Sequence, residues 1–137
     1  MNAHIITIGN ELLIGQVINT NASWLGEELT AIGVQVQKMI SIEDDENEII
    51  LQLDTSTKEA DIVIVSGGLG PTKDDITKAS IARFLDQKMV FNQDIYDNIV
   101  GYLKKHDRLV PEIIKKHAFF PTGTIFLKNA INKNSPS

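Results

Sequence analysis

The stretch that most constrains the fold is DIVIVSGGLGPTKDD, residues 61–75. Four consecutive β-branched apolar residues, Ile62 to Val65, predict a strand that is covered on both faces. Three glycines and a proline then interrupt regular structure, and two aspartates stand where the next helix would begin. A strand, a glycine-rich turn and a helix in this order favour an open α/β sheet, in which ligands sit beyond the carboxyl ends of the strands.

The rest of the chain alternates between strand and helix patterns, which predicts an α/β sheet with helices on both faces. AHIITIG (3–9), VQVQKMISI (34–42) and TIFLKNA (124–130) predict strands. Apolar residues at helical spacing predict helices whose inward residues are Ala22, Leu25, Leu29 and Ile32 before Gly33; Ile49, Ile50, Leu53 and Ala60 after caps at Asp44 or Asp45; and Ile76, Ala79, Ala82, Phe84 and Leu85. Two further helices are predicted in QDIYDNIVGYLKKH (93–106) and PEIIKKHAF (111–119), with Pro111 in a first turn.

Composition narrows the class of protein. A chain of 137 residues is expected to form one domain with a single core. The net charge of -5 argues against non-specific binding to nucleic acid. Without cysteine the chain forms neither disulfides nor thiolate metal sites. No apolar segment long enough to span a membrane and no signal-peptide pattern is found, so we expect a cytoplasmic protein.

The glycine turn and the aspartates that follow it suggest a ligand. Glycines let the backbone approach a ligand closely, and a helix start offers free N–H groups to a phosphate or pyrophosphate. Asp74 and Asp75 would repel such a group unless a divalent cation such as Mg²⁺ bridged the carboxylate and phosphate oxygens. The alternative is structural: Thr72 and Asp75 have the spacing of a capping box, and acidic residues favour helix starts in general.

A second polar stretch follows the first predicted strand, in GNELLIGQVINTNASWL (9–25). Glu11 would lie beyond the end of that strand, and Asn19, Thr20 and Asn21 stand just before a helix. These groups could hold a sugar, a base or a heterocycle. Capping is the competing explanation, and it accounts for one of the three residues but not for all of them.

Together, GNELLIGQVINTNASWL and SGGLGPTKDDIT closely resemble the N-terminal domain of the competence/damage-inducible protein CinA family, a molybdopterin-binding (MoaB/MogA-like) domain. The family's usual forms read close to G-D/N-E-L-L-x-G-x-x-x-N-T-N and T-G-G-L-G-P-T-x-D-D-x-T. The resemblance extends over essentially all of residues 1–137 and implies one three-layer α/β/α sandwich with a mostly parallel sheet. Family members usually continue into an amidase domain that acts on nicotinamide mononucleotide, and we expect none of it in these residues.

The resemblance also implies an activity: a pyrophosphatase that needs Mg²⁺, Mn²⁺ or Co²⁺ and splits ADP-ribose into AMP and ribose 5-phosphate. Asp74 and Asp75 would match the family's acidic pair, which acts on the metal or on the attacking water. The ligand-binding positions implied are Glu11, Asn19, Thr20, Asn21, Ser66, Gly67, Gly68, Gly70, Pro71 and Thr72. A non-catalytic domain that binds molybdopterin or a nucleotide is the alternative, and a degenerate member serving only in assembly is a third reading.

The chain departs from the family pattern near its end. Ile113, Ile114 and His117 replace the amide residues of a P-E-N-N-x-x-Q-A motif, and NKNSPS (132–137) lacks the glycines of a G-T-A-P-G loop. We expect the three histidines to be structural or solvated, and the basic cluster to be a solvated face; these residues are His4, His106, His117, Lys104, Lys105, Arg108, Lys115 and Lys116. By analogy with related domains, a homodimer or trimer is expected.

Overall fold

The computed structural model describes residues 1–9, 20–67 and 74–127, without the side chains of residues 20, 21, 74, 75 and 113. Its elements in chain order are β1 (Asn2–Ile8), α1 (Thr20–Ala31), β2 (Gln35–Ile42), α2 (Glu46–Glu59), β3 (Ile62–Gly67), α3 (Asp74–Phe84), β4 (Met89–Phe91), α4 (Gln93–Lys105), a 3-10 helix (Glu112–Ala118) and β5 (Phe119–Pro121).

The first three strands form a parallel sheet in the order β2-β1-β3. The central strand β1 is the most apolar of the three, and its side chains from Ala3 to Ile8 are buried. Ile8 lies beside Ile42 on one side and beside Gly67 on the other, so the three strands end at the same level. This common edge is where the loops that follow β1 and β3 begin.

Helices cover both faces of this sheet, which confirms the predicted three-layer arrangement. On one face, Ile6 and Ile8 pack against Ile49 and Leu53 of α2, and α3 adds the half-buried Ile81 and Phe84. On the other face α1 lies so close to β2 that a Cβ added at Gly26 would stand 2.5 Å from the Met39 methyl carbon. Asp45 caps α2 by accepting a hydrogen bond from the Glu48 amide, as one of the two predicted caps.

The buried face of α3 differs from the prediction in part. Ala82 is buried and Phe84 half-buried as expected, but Ala79 is exposed, and Ile76 and Leu85 are 37% and 53% exposed. Thr77 and Ser80 are buried instead. Ser80 tolerates burial because its hydroxyl donates to the Ile76 carbonyl at 2.6 Å, and its small side chain lets α3 pack closely against α2.

The C-terminal part of the described chain differs more. β4 and β5 form a two-stranded antiparallel ribbon that the sequence pattern did not predict. PEIIKKHAF was expected to be an α-helix with Pro111 in its first turn, but the segment is a 3-10 helix and Pro111 is its extended N-cap, with no side-chain capping bond. The strand predicted in TIFLKNA is not formed in residues 124–127, and residues 128–130 lie outside the described part.

The end of the 3-10 helix is held by the ribbon, since the Asn92 amide donates to the Ala118 carbonyl at 2.7 Å. This non-local bond explains why a purely local helix signal failed there. None of the helices in the described ranges combines the length and the apolar character needed to cross a membrane.

Candidate ligand-binding site at the carboxyl edge of the sheet

The carboxyl ends of β1 and β3 lie side by side. Thr7 pairs with Ser66 and Ile8 with Gly67, and the Gly9 amide donates to the Ile42 carbonyl at 3.0 Å. Both sequence motifs continue from this edge, one after Gly9 and the other after Gly67. The helices that follow the two strands, α1 and α3, lie on opposite faces of the sheet. This is the topological switch point at which open α/β sheets bind their ligands.

Gly67 has a structural reason to be glycine. Its φ of +99° is in the left-handed region, and an added Cβ would collide with the Ile8 carbonyl oxygen and stand 3.0 Å from the Ile8 nitrogen. Any side chain here would push β1 and β3 apart. The ligand-binding role implied for Ser66 and Gly67 stays a prediction; both lie half-buried at the end of β3.

The predicted acidic pair begins a helix. Asp74 is the first residue of α3, so that Asp74 and Asp75 both occupy its first turn, where the helix dipole favours negative charge. Their side chains, and the capping partner Thr72, lie outside what the structure describes. The choice between a metal site and a capping box therefore stays open.

The other predicted ligand-binding residues fall mostly outside the described ranges; these are Glu11, Asn19, Gly68, Gly70 and Pro71. Thr20 and Asn21 form the start of α1, although their side chains are not described. Since α1 follows β1, its polar start belongs to the chain segment that leaves the same sheet edge as the glycine turn.

Thr77 is a residue that the sequence reasoning passed over. It is the fourth residue of α3 and only 8% exposed, and its hydroxyl oxygen is buried without a hydrogen-bond partner in the described chain. A signal was present, because Thr77 is the last residue of the SGGLGPTKDDIT motif. Its β-branched polar side chain was simply not included among the inward-facing residues.

Lys78, the next residue of α3, joins this helix to the departing C-terminal segment. Its ammonium lies 3.4 Å from the His117 carbonyl oxygen and 4.5 Å from the centre of the Phe120 ring. His117 and the half-buried Ile114 therefore stand near the helix that begins with the acidic pair, while the side chain of Ile113 is not described. The departures from the family pattern thus adjoin α3.

His4 lies in a buried polar cluster away from the strand ends. Its Nδ1 is 3.0 Å from the Ser56 hydroxyl and its Nε2 is 3.9 Å from the Glu59 carboxylate. The grouping resembles a serine–histidine–acid triad, but His4 and Ser56 are both fully buried, so no substrate reaches them. The hydrogen bond and charge of Lys38, at 2.8 Å, hold the pKa of Glu59 below its usual value.

The remaining charged groups carry no site. His106 is exposed and its ring lies 4.3 Å from that of Tyr102, and the basic cluster is exposed as expected, at Lys104, Lys105, Arg108, Lys115 and Lys116. Within the described ranges no three histidine or acidic residues are grouped to hold a metal. A shallow groove of about 770 Å³ between α1 and β2, lined by Glu27, Thr30 and Lys38 among others, contains none of the predicted site residues.

Comparison with known proteins agrees with this geometry. Residues 4–132 match the family described as "Probable molybdopterin binding domain". A competence-damage inducible protein of Caldicellulosiruptor saccharolyticus is 41% identical over 129 residues, which are 94% of this chain and 31% of the relative. The chain thus spans less than a third of the length of that relative.

Solved structures give the same result. The protein CinA of Thermoplasma acidophilum superposes with a TM-score of 0.80 at 33% identity, over 97% of this chain and 78% of that one. MoaB of Pyrococcus furiosus, a tungsten cofactor synthesizing protein, shares the fold with a TM-score of 0.56 at 24% identity, over 76% and 63% of the two chains. The chain therefore belongs to the molybdopterin-binding domain family and, within it, to the CinA proteins.

Proposed function

We propose that this chain is a metal-dependent pyrophosphatase that splits ADP-ribose into AMP and ribose 5-phosphate. The observation that carries the proposal is the meeting of β1 and β3 at one edge, with Ile8 beside Gly67, and the start of α3 at Asp74 and Asp75. The N–H groups of the first turn of α3 would bind a phosphoryl group, and its dipole favours the negative charge.

The donor set fits a magnesium-type ion that binds together with its substrate. Mg²⁺ in such sites is held by one or two carboxylates plus substrate phosphates, so Asp74 and Asp75 suffice as protein ligands. When bound, the ion would offset the charge of the pyrophosphate and lower the pKa of a bound water. Without it, two carboxylates beside a phosphoryl group would repel the substrate.

The test is incubation of the protein with ADP-ribose and Mg²⁺, Mn²⁺ or Co²⁺, with AMP release as the readout. Asp74→Asn is expected to abolish metal-dependent release while leaving the melting temperature at or slightly above that of the parent. Asp75→Asn is expected to lose activity and also about 1 kcal/mol of stability, because a helix cap is lost.

Asp94→Asn is the matched control, since Asp94 is an acidic residue in the first turn of α4, away from the sheet edge. It should turn over at the parent rate. The proposal fails if no ion yields AMP, or if Asp74→Asn and Asp75→Asn both retain the parent rate.

A non-catalytic domain that binds molybdopterin or a nucleotide is the second candidate, and the family description, which names molybdopterin binding, favours it. Chelation separates the two readings: a carrier retains its ligand in EDTA, whereas a hydrolase loses turnover. We further propose a cytoplasmic homodimer or trimer. Sedimentation of the protein at micromolar concentration tests the assembly, and a monomer would contradict it.

A further inference from the structure

The Thr77 hydroxyl is a buried polar group that lacks a hydrogen-bond partner in the described chain. Thr77 is 92% buried, at 8% exposure, and its Oγ1 makes no hydrogen bond. A hydroxyl in this state costs free energy, because it has lost its bonds to water and gained none from the protein. Such an exception in a folded protein calls for a physical explanation.

Other hydroxyls on the helices of this protein are satisfied within their own helix. Thr30 donates to the Gly26 carbonyl at 2.7 Å, Thr57 to Leu53 at 2.7 Å, and Ser80 to Ile76 at 2.6 Å. Ser80 is the closest comparison, because it lies one turn further along the buried side of the same helix. Thr77 departs from this pattern, although the same kind of side chain elsewhere in the chain follows it.

The position of Thr77 indicates where its partner would come from. Side chains on a helix tilt toward its N-terminus, so the Thr77 side chain reaches back over the first turn of α3. Thr77 follows Asp74 by three residues and therefore shares a helix face with it. The amide groups of this first turn have no partners within the helix and attract an anion. The hydroxyl and these amides are thus directed to the same place.

We propose that Thr77 binds the ligand directly, by donating a hydrogen bond from its hydroxyl to an oxygen of the phosphoryl group at the start of α3. This inference rests on the proposed function in one respect, namely that the ligand carries a phosphoryl group. Since the hydroxyl is screened from bulk water, its partner is a group that arrives with the ligand. A bond made in such surroundings is stronger than one made in water.

The experiment compares Thr77→Val, which keeps the shape and removes the hydroxyl, with Thr77→Ser, which keeps the hydroxyl. The probe is inorganic pyrophosphate with Mg²⁺, titrated by calorimetry. We expect Thr77→Val to raise the dissociation constant about tenfold or more, as for a lost hydrogen bond to a charged group. Thr77→Ser should stay within about threefold of the parent. Ser80→Ala, which removes a hydroxyl already bonded within α3, should bind as the parent does.

Thermal melting without ligand gives an independent reading. The Thr77→Val protein should melt at or above the parent temperature, because an unpaired hydroxyl contributes nothing to the ligand-free fold. A clearly lower melting temperature would mean that the hydroxyl is already bonded, and would overturn the inference. Unchanged affinity of Thr77→Val, or no binding of pyrophosphate by the parent, would overturn it as well.

The two proposals fail in different ways. If the parent binds pyrophosphate through Thr77 but releases no AMP from ADP-ribose, the inference stands and the pyrophosphatase proposal falls. If the parent hydrolyses ADP-ribose and the Thr77→Val protein binds and turns over equally well, the pyrophosphatase proposal stands and the inference falls.

Discussion

The sheet region, residues 2–84 as far as they are described, and the ribbon region, residues 89–121, are built in different ways. In the sheet region β1 is buried throughout, and Ile6, Ile8, Ile49 and Leu53 form a closed core. In the ribbon region only Ala118 is buried, and α4 has no buried residue among its 13. The candidate site therefore stands on the rigid half, while the departures from the family pattern lie on the half with little core.

Ring contacts and a few hydrogen bonds hold the ribbon region together. Phe91 lies 5.4 Å from the ring of Phe119 and 5.5 Å from that of Tyr96, and Lys78 reaches across from α3 to Phe120. These groups are partly exposed, so each contact stabilises the fold less than a buried one. The ribbon region is thus expected to open locally at a lower free energy than the sheet region.

The largest expected effect comes from truncating the two apolar faces. Ile6→Ala should lower the free energy of unfolding by about 4 kcal/mol, because Ile6 is 1% exposed and a cavity would remain in the core. Ile99→Ala in α4 should cost only about 1 kcal/mol, because that side chain is half-buried. Urea unfolding followed by circular dichroism measures both, and equal losses would contradict the contrast between the regions.

A glycine-to-alanine pair sharpens the same comparison. Gly67→Ala should cost about 3 kcal/mol, because its φ of +99° disfavours a side chain and the added Cβ would collide with the Ile8 carbonyl. Gly101→Ala in α4 meets nothing within 4 Å and should instead stabilise the protein by about 0.5–1 kcal/mol. Thermal melting of the two variants gives both signs. A Gly67→Ala protein as stable as the parent would show that β1 and β3 can separate there without cost.

The sequence predicted the sheet region well because its signals are local. Runs such as AHIITIG and DIVIV favour buried strands wherever they lie, and Asp45 acts on an amide three residues away. β4 could not be predicted in this way. It has three residues, and its partner β5 lies about 30 positions later, so that the pair exists only through a non-local contact.

The candidate site was predictable to the level of its edge. Glycine and acidic residues after apolar runs indicated the end of β3 and the start of α3, and both were found there. The sequence could not show that Gly67 packs on the Ile8 backbone, nor that the Thr77 hydroxyl is buried without a partner in the described chain. Both facts depend on how neighbouring elements approach, which no single stretch encodes.

Helix caps provide a smaller contrast. Asp45 caps α2 in the sheet region and Asn92 caps α4 in the ribbon region, each by accepting a hydrogen bond from the amide three residues later. Replacing Asp45 by alanine should lower the free energy of global unfolding by about 1 kcal/mol. Replacing Asn92 by alanine should instead speed amide hydrogen exchange in α4 about fivefold, with little change in the urea midpoint. A global loss from Asn92→Ala equal to that from Asp45→Ala would show that the two regions unfold together.

The smallest expected effect is the acid response of the sheet region. Lys38 holds the pKa of Glu59 below its usual value of 4.5, chiefly through a hydrogen bond and secondarily through its charge. A carboxyl group whose pKa is lower in the folded chain stabilises the fold above its unfolded pKa, and this contribution is lost as the pH falls through the folded pKa. The window therefore opens at pH 4.5 and extends downward.

Lys38→Met removes the cause of that shift. Its melting temperature should be about 1–2 °C below that of the parent above pH 4.5, since the pair is exposed to solvent and screened. The difference should close as the pH falls below 4.5, because Glu59 is then protonated in both proteins. Lys88→Met, which removes the same charge at an exposed position just before β4, should show no such closing difference. A gap between parent and Lys38→Met that stays constant from neutral pH to below 4.5 would mean that Lys38 stabilises β2 through the packing of its alkyl chain and not through the Glu59 carboxylate.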